Sequence, residues 1–483
     1  MPKNIRWVLL GIMLAMLLSM LDGLIVGTAM PTVVKEIGGL NHISWVVTAY
    51  TLTTACTTPI WGKFGDLFNR KSMFLSSIVV FIIGSALSGQ ATSMGELIGF
   101  RALQGIGAGG MMAGAFAFIG VLLPPRERGK YQGMVAIVQA VGSIGGPLMG
   151  GFITTHLGWR WAFYVNIPIG LIAIVWCGLL LRVPPARRGK VVIDWLGITL
   201  MTTMITALVM AATWAGSTYA WGSWQILSLA AAVVVLLIAF IAAERRAVEP
   251  LLPLRIFTGH RNFPIAAVLL TVAGVAMFGG TLYLPLFQQI VQGASAQNSG
   301  LLLLPMMAGT VAASMIAGKV MSKTGRYKIF PILGAVSLAV GMGLLSTMDT
   351  STSSAVTTAY MVLVGIGTGF SLQMANTIAQ NSVELRDMGA ASAATSLFRT
   401  LGGSLGVAVF GSLFTRATEG QTGSSQGYLQ AVAHGSQQIF LVGALCAAAA
   451  LLAAVFIKEV PLRKPPTANQ NQTTAKVPDS AAS

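Results

Sequence analysis

Long apolar stretches recur along almost the whole chain, and they limit what it can fold into more than any other feature. Stretches of about 18 or more apolar residues are long enough to cross the ~30 Å hydrocarbon layer of a membrane as helices. Strands of a membrane barrel would instead show short segments of alternating hydrophobicity. The composition agrees, because 54% of the residues are hydrophobic and 9% are charged, whereas a soluble globular chain carries about 25% charged residues. We therefore predict an all-α polytopic membrane protein.

The pattern predicts fourteen membrane-spanning helices. They are expected at 7–29, 44–64, 74–92, 95–121, 131–155, 162–182, 194–214, 224–243, 263–286, 298–321, 328–347, 354–378, 390–414 and 436–457. A cleaved signal peptide is the alternative for the first span, because Lys3 and Arg6 precede an apolar run. We disfavour it, since the run continues well beyond the length of a signal-peptide core.

The basic residues indicate the orientation. Loops that join even to odd spans hold most of the cations, whereas the alternate loops hold little beyond Lys35, Arg160 and Arg416. Cytoplasmic loops are enriched in Lys and Arg, so both termini are expected in the cytoplasm, with the chain in a bacterial-type cell membrane. The net charge of +16 is explained by these short loops and by anionic lipid head groups. We expect membrane lipids as partners and no nucleic acid.

The cysteines and the C-terminal tail carry no sign of a chemical site. Cys56, Cys177 and Cys446 lie inside apolar runs without metal-ligand spacing, so we expect small buried residues and no disulfide, metal or cofactor. Residues 461–483 are rich in Pro, Asn, Gln, Thr and Ser and lack apolar periodicity. They are predicted to form a disordered cytoplasmic tail.

The chain repeats itself internally. LQGIGAGG at 103–110 matches LVGIGTGF at 363–370, and Gly142 with Gly146 recurs as Gly402 with Gly406, at the same offset of 260 residues. Transporters are often built from two related halves. We therefore predict a six-helix half at 1–182, a two-helix insert with cytoplasmic linkers at 183–260, and a second six-helix half at 261–460.

Four motifs resemble those of the major facilitator superfamily, and within it the fourteen-span drug:proton antiporter branch. GKFGDLFNRK at 62–71 resembles the superfamily's loop motif between helices two and three, with Leu67 where Arg is common and Asn69 where Gly is common. LDGLIVGTAMP at 21–31 resembles the branch's first-helix motif, with Gly27 where Asn is usual. WRWAFYVNIPIG at 159–170 is similar to its sixth-helix signature, and GSIGGPLMGG at 142–151 resembles the fifth-helix motif associated with antiporters.

This resemblance covers nearly the whole chain. It implies the major facilitator fold, with two extra central helices between the halves, and efflux of hydrophobic, cationic drugs or antiseptics in exchange for protons. Arg101, in RALQG at 101–105, resembles the fourth-helix motif whose Arg is implicated in proton coupling. A monomer is expected.

Asp22 is the only acidic residue deep within a predicted span. An ionisable group there is costly and usually functional, and apolar surroundings favour its neutral form. Asp22 lies about eight residues from the outer end of the first helix and Arg101 about six from the outer end of the fourth, so at ~1.5 Å per residue they share a depth. We expect a salt bridge that protonation releases. A permanently ionised pair that serves only packing is the alternative.

Two groups of residues are predicted to control gating. The glycines of the fifth helix permit close packing and Pro147 permits a kink, so this helix is a candidate hinge, although ordinary packing explains it equally well. Asp66 and Arg70 in the loop motif suggest an intracellular latch rather than topology alone. The full set is Gly62, Gly65, Asp66, Arg70, Gly142, Gly146, Pro147 and Gly150.

Polar and methionine side chains of the repeated helices are candidates for the substrate cavity. Adaptable Met and scattered amides suit loose recognition of varied hydrophobic molecules, although each can equally be an interhelical contact. Arg399 can face this cavity or reach helix-end carbonyls. The candidates are Tyr50, Gln104, Met112, Gln139, Gln373, Asn376 and Arg399.

Three other functional classes remain open. An exporter of a lipid or an endogenous amphipathic metabolite would share the fold. A nutrient symporter would lack Gly146-Pro147 and would accumulate its ligand. A membrane-embedded enzyme is disfavoured, because the four histidines fall in loops or span ends without acids or cysteines beside them. No nucleotide-binding P-loop is present in the sequence, which disfavours ATP-driven pumping.

Overall fold

A computed structural model describes residues 3–38, 42–181, 192–216, 218–259, 261–294, 299–384, 387–419 and 426–459. The predicted tail at 461–483 lies outside these residues. The described part is all-α, with seventeen helices. They are α1 (Lys3–Ile37), α2 (Ile43–Leu67), α3 (Arg70–Gln90), α4 (Met94–Leu122), α5 (Pro125–His156), α6 (Trp161–Tyr164), α7 (Asn166–Leu180), α8 (Trp195–Trp214), α9 (Trp224–Arg246), α10 (Arg255–Thr258), α11 (Asn262–Ile290), α12 (Ser299–Leu302), α13 (Leu304–Thr324), α14 (Ile329–Leu345), α15 (Ser354–Asn381), α16 (Met388–Thr418) and α17 (Gln426–Val455).

The long helices follow the predicted spans closely. The sixth predicted span overlaps α6 and α7, and the tenth overlaps α12 and α13. By length and apolar composition, twelve spans within the described residues can cross a membrane. Ile329–Leu345 is a shorter apolar helix of 17 residues, and Ile43–Leu67 is long but rich in threonine. The all-helical membrane architecture is thus confirmed, whereas the count of fourteen spans stays a prediction.

The same helix pairs pack together in both halves. α1 packs on α5, and α2 and α3 pack on α4; in the second half α11 packs on α16, and α13 and α14 pack on α15. The two halves meet mainly where α5 lies against α13 and α2 lies against α16. α8 and α9 pack on each other, and α8 also contacts α2 and α16.

The repeated glycines explain why these pairs are so close. A Cβ on Gly105 of α4 would overlap the Tyr50 carbonyl of α2, and a Cβ on Gly365 of α15 would overlap the Met306 carbonyl of α13. Backbones approach to this distance only where one helix presents a residue without a side chain. The glycine repeat in the sequence therefore specifies the same tight helix pair in each half.

Candidate functional site

The centre of the candidate site is a buried ion pair between α1 and α4. Asp22 is 0% exposed and Arg101 is 1% exposed. Nη1 of Arg101 lies 2.5 Å from Oδ2 of Asp22. Two opposite charges taken out of water are tolerated when each has its partner and further hydrogen bonds. The structure thus places the two residues in direct contact.

Two amides complete the shell of the carboxylate. Gln104 Nε2 and Asn166 Nδ2 both donate to Oδ1 of Asp22 at 2.8 Å. Gln104 Oε1 accepts from Arg101 Nη1 at 2.8 Å, and Asn166 also donates to the Ser85 hydroxyl at 2.9 Å. Every group around the carboxylate is a donor, so this arrangement fits an ionised Asp22. Helices α1, α3, α4 and α7 meet at this point.

Tyr50 of α2 covers the cation of the pair. The guanidinium carbon of Arg101 lies 4.1 Å from the centre of the Tyr50 ring, a cation–π geometry. The Tyr50 hydroxyl donates to the carbonyl of Ser19 on α1 at 3.0 Å. The sequence placed Tyr50 and Gln104 in a substrate cavity, and the structure places both around the ion pair.

The predicted hinge glycines of α5 lie against α1, the helix that carries Asp22. A Cβ on Gly142 would be 3.2 Å from Met20 Cβ, and one on Gly146 would be 2.5 Å from Leu24 Cβ. Gly150 comes equally close to α1 one turn further on. Pro147 lies within α5 between Gly146 and Gly150. The three glycines therefore let α5 track α1 along the turns on either side of Asp22.

Asp66 joins the two halves at one end of the bundle. Its carboxylate accepts hydrogen bonds from the backbone N–H groups of Gly389 at 3.2 Å and Ala390 at 3.0 Å, at the start of α16. Arg70 lies 2.6 Å from the same carboxylate. The first N–H groups of a helix have no partner within the helix, so a carboxylate there is stabilising. We call these contacts the joined end.

The glycines of the same motif are placed differently. A Cβ on Gly62 would lie 2.6 Å from Ala393 Cβ and 2.8 Å from the Gly389 carbonyl oxygen. A Cβ on Gly65 would meet only Arg70 Cγ, at 3.8 Å. Gly62 is therefore a contact point between the halves, and Gly65 is not.

The insert adds ion pairs at the joined end. Lys63 of α2 lies 2.9 Å from Glu249, which follows α9. Arg255 of α10 binds the Asp387 carboxylate through two nitrogens, at 3.1 and 2.7 Å. The hydrogen bonds that Arg255 donates to the Asp387 carboxylate raise the pKa of Arg255. The chain between α9 and α11 thus touches both α2 and the residue that precedes α16.

The other predicted cavity residues lie in the interior. Gln139 lines a small cavity between the halves, with Met277 of α11 and Met306 of α13 among its other walls. Met112 belongs to the core of the first half. Gln373 and Asn376 of α15 are buried, and Asn376 Nδ2 donates to its own helix at the Leu372 carbonyl. The structure thus places Gln139 beside a cavity and the other three in packed surroundings.

Arg399 of α16 is half-buried. A Cβ on Gly274 of α11 would overlap the Arg399 carbonyl, so α11 and α16 are in close contact there. Among the residues that the structure describes, no ion pair or hydrogen bond is found for its guanidinium. In the described part of the chain, its guanidinium has no hydrogen bond or ion pair with Asp22.

Asn166 and Ser85 are the site residues that sequence reasoning missed. Asn166 belongs to the sixth-helix signature, and both residues interrupt apolar runs. A buried amide needs hydrogen-bond partners. The position of Asn166 in an apolar run was therefore the signal that could have identified it as a site residue. Ser85 gives no comparable signal, because serine is common in tightly packed membrane helices.

Comparison with known proteins agrees with this architecture. A sequence profile described as the Major Facilitator Superfamily matches residues 12–407. The multidrug transporter protein MdtP of Bacillus subtilis is 38% identical over 403 residues, which cover 83% of this chain and 74% of that protein. An uncharacterized MFS-type transporter of Mycobacterium tuberculosis is 41% identical over 402 residues, 83% of this chain. This chain spans only 58% of that relative's length.

A solved structure shows the same fold. The proton:xylose symporter XylE aligns with a TM-score of 0.64 at 16% identity, covering 95% of this chain and 98% of the symporter. At that identity the similarity concerns the fold alone. The profile match and the relatives establish that the chain belongs to the Major Facilitator Superfamily.

Proposed function

We propose that this protein is a proton-coupled efflux transporter for hydrophobic, cationic drugs or antiseptics, and that it works by alternating-access antiport. The observation that carries the proposal is the buried Asp22 and Arg101 pair with its shell of donors. Such a pair inside a membrane protein is costly and is typical of proton relays. The multidrug transporter of Bacillus subtilis, similar over most of this chain, supports efflux of drugs.

The geometry indicates how protonation of Asp22 changes the conformation of the protein. Protonation of Asp22 removes the negative charge that faces Arg101, and leaving one member of a buried pair without its partner costs about 3–5 kcal/mol. The hydrogen bonds from Gln104 and Asn166 to Oδ1 also weaken when the acceptor is neutral. Protonation therefore destabilises the present packing of α1 on α4 and favours a rearranged conformation.

Exchange follows from competition for one carboxylate. In the present conformation all access to Asp22 is closed, since it is 0% exposed. After rearrangement, a cationic substrate and a proton compete for the same group, so binding of one requires release of the other. Drug leaving the cell is then coupled to protons entering it.

The positive-inside rule places the joined end in the cytoplasm, together with both termini. The conformation described here is then closed toward the cytoplasm, and Asp66 acts as its latch. We also propose that α2 and α14 cross the membrane, which gives fourteen spans in a bacterial-type cell membrane. The hydroxyls of α2 are compatible with this, because Thr54, Thr57 and Thr58 donate to carbonyls of their own helix.

The test is transport in proteoliposomes that contain a pH-sensitive dye. Wild type is compared with Asp22→Asn, with ethidium as the cation. The matched control is Asp349→Asn, which changes an exposed carboxylate between α14 and α15. We expect ethidium to drive proton movement in wild type and in the control, and proton-coupled transport to be lost in Asp22→Asn. Wild-type proton coupling in Asp22→Asn would refute the proposal.

A further inference from the structure

Arg399 lies at an unusual depth in the fold for a basic residue. It lies eleven residues after Met388, where α16 begins at the joined end. At ~1.5 Å per residue this is roughly 16 Å, about half of the ~30 Å hydrocarbon layer. A cation at this depth is costly and is retained where it has a function or a partner.

No partner is present within the described part of the chain. Asp22, the acidic residue deep in the first half, is already bound by Arg101, Gln104 and Asn166. Arg399 is half-buried rather than exposed to water. Its charge is therefore unbalanced in this conformation.

Two relations connect Arg399, which is not itself a wall of the cavity, with the cavity between the halves. The internal repeat, at its offset of 260 residues, makes Arg399 the counterpart of Gln139, and Gln139 lines that cavity. The Arg399 carbonyl lies against Gly274 of α11. Met277, about one helical turn further along α11, is another wall of the same cavity.

We infer that Arg399 is an anion subsite and that this transporter also exports amphipathic organic anions with a carboxylate or sulfonate head group. A guanidinium binds these groups through two parallel hydrogen bonds. Three of the eight residues that line this cavity are methionines, Met277, Met306 and Met307, which suits an adaptable apolar body of the ligand. The inference goes beyond the proposed function, because the cation route depends on Asp22 and this one on Arg399.

The experiment measures export of two probes from everted vesicles that contain the full chain. Taurocholate is the anionic probe and ethidium is the cationic one. The variants are Arg399→Gln and Arg399→Lys, and the control is Arg416→Gln, which changes an exposed arginine near the other end of α16. Loss of a charge-assisted contact predicts that Arg399→Gln lowers taurocholate export about tenfold or more, with ethidium export within about twofold of wild type.

The lysine variant separates charge from packing. Arg399→Lys keeps the charge but loses the two parallel hydrogen bonds, so its taurocholate export is expected to lie between those of wild type and Arg399→Gln. Arg416→Gln is expected to match wild type for both probes. Equal losses of both probes in Arg399→Gln and Arg399→Lys would mean that Arg399 only supports packing, and would overturn the inference. Absence of taurocholate export by wild type would also overturn it. In that case proton-coupled ethidium export would show that the proposed function stands.

Discussion

Substitution of Gly62 by alanine tests whether the joined end controls the conformation. The added Cβ would lie 2.6 Å from Ala393 Cβ and 2.8 Å from the Gly389 carbonyl oxygen. Carbon atoms in good contact are about 3.5–4.0 Å apart, so α2 and α16 must separate by roughly 1 Å at this point. The substitution thus acts on the interface between the halves and not within either half.

The separation also weakens the latch. The hydrogen bonds from Gly389 and Ala390 to Asp66 are 3.2 and 3.0 Å long, and an added ~1 Å takes both beyond the usual limit of about 3.2 Å for such bonds. Overpacking alone costs about 1–3 kcal/mol. With a central value of about 2 kcal/mol, the ratio of closed to open molecules should fall roughly thirtyfold.

The assay is a distance distribution between spin labels on the two halves. Ser72→Cys lies near the start of α3 and Lys323→Cys near the end of α13, and both positions are exposed at the joined end. The native cysteines are replaced first. Gly65→Ala is the matched control, because its Cβ would meet only Arg70 Cγ at 3.8 Å. If Gly62→Ala and Gly65→Ala give the same distribution, the reasoning is refuted.

Two further predictions concern packing and surface charge. Gly105→Ala should lower the free energy of unfolding by about 1–3 kcal/mol, because the added Cβ would overlap α2. The control is Gly95→Ala on the same helix, whose Cβ would meet nothing within 4 Å and which should change the free energy of unfolding little. Thermal unfolding in detergent compares the two variants. The Lys63 and Glu249 pair should show a coupling energy below about 1 kcal/mol in a double-mutant cycle with glutamine at each position, because the Glu249 side chain is 47% exposed. A coupling energy well above about 1 kcal/mol would contradict this expectation.

The sequence predicted the features that depend on exposure to water and on depth within the membrane. Apolar length identified the helices, and Asp22 stood out as a lone acid in an apolar run. The depth argument then selected Arg101 from all the basic residues, and the structure has the two in contact. Both inferences use one coordinate, the distance along the membrane normal, which a helical sequence specifies well.

Features that depend on which faces meet were not predictable in the same way. Tyr50 and Gln104 were assigned to a cavity because they are polar side chains on central helices, yet both contact Arg101. The contact of Asp66 with Gly389 joins positions more than 300 residues apart. Rotation of one helix about its axis changes such contacts without changing the apolar pattern, so the pattern carries little information about them.

The charges inside the membrane connect the two transport routes. An ionised Asp22 balances the charge of Arg101, whereas Arg399 has no counter-charge among the residues that the structure describes. When Asp22 is protonated, two cations lack a counter-charge, and each is costly in a medium of low dielectric constant. An organic anion bound at Arg399 would lower that cost, so we expect the anion to bind more tightly when Asp22 is neutral. By reciprocity, the bound anion should raise the proton affinity of Asp22 by the same factor. Anion binding would then be linked to the protonation of Asp22 through charge alone, with no contact between the two sites.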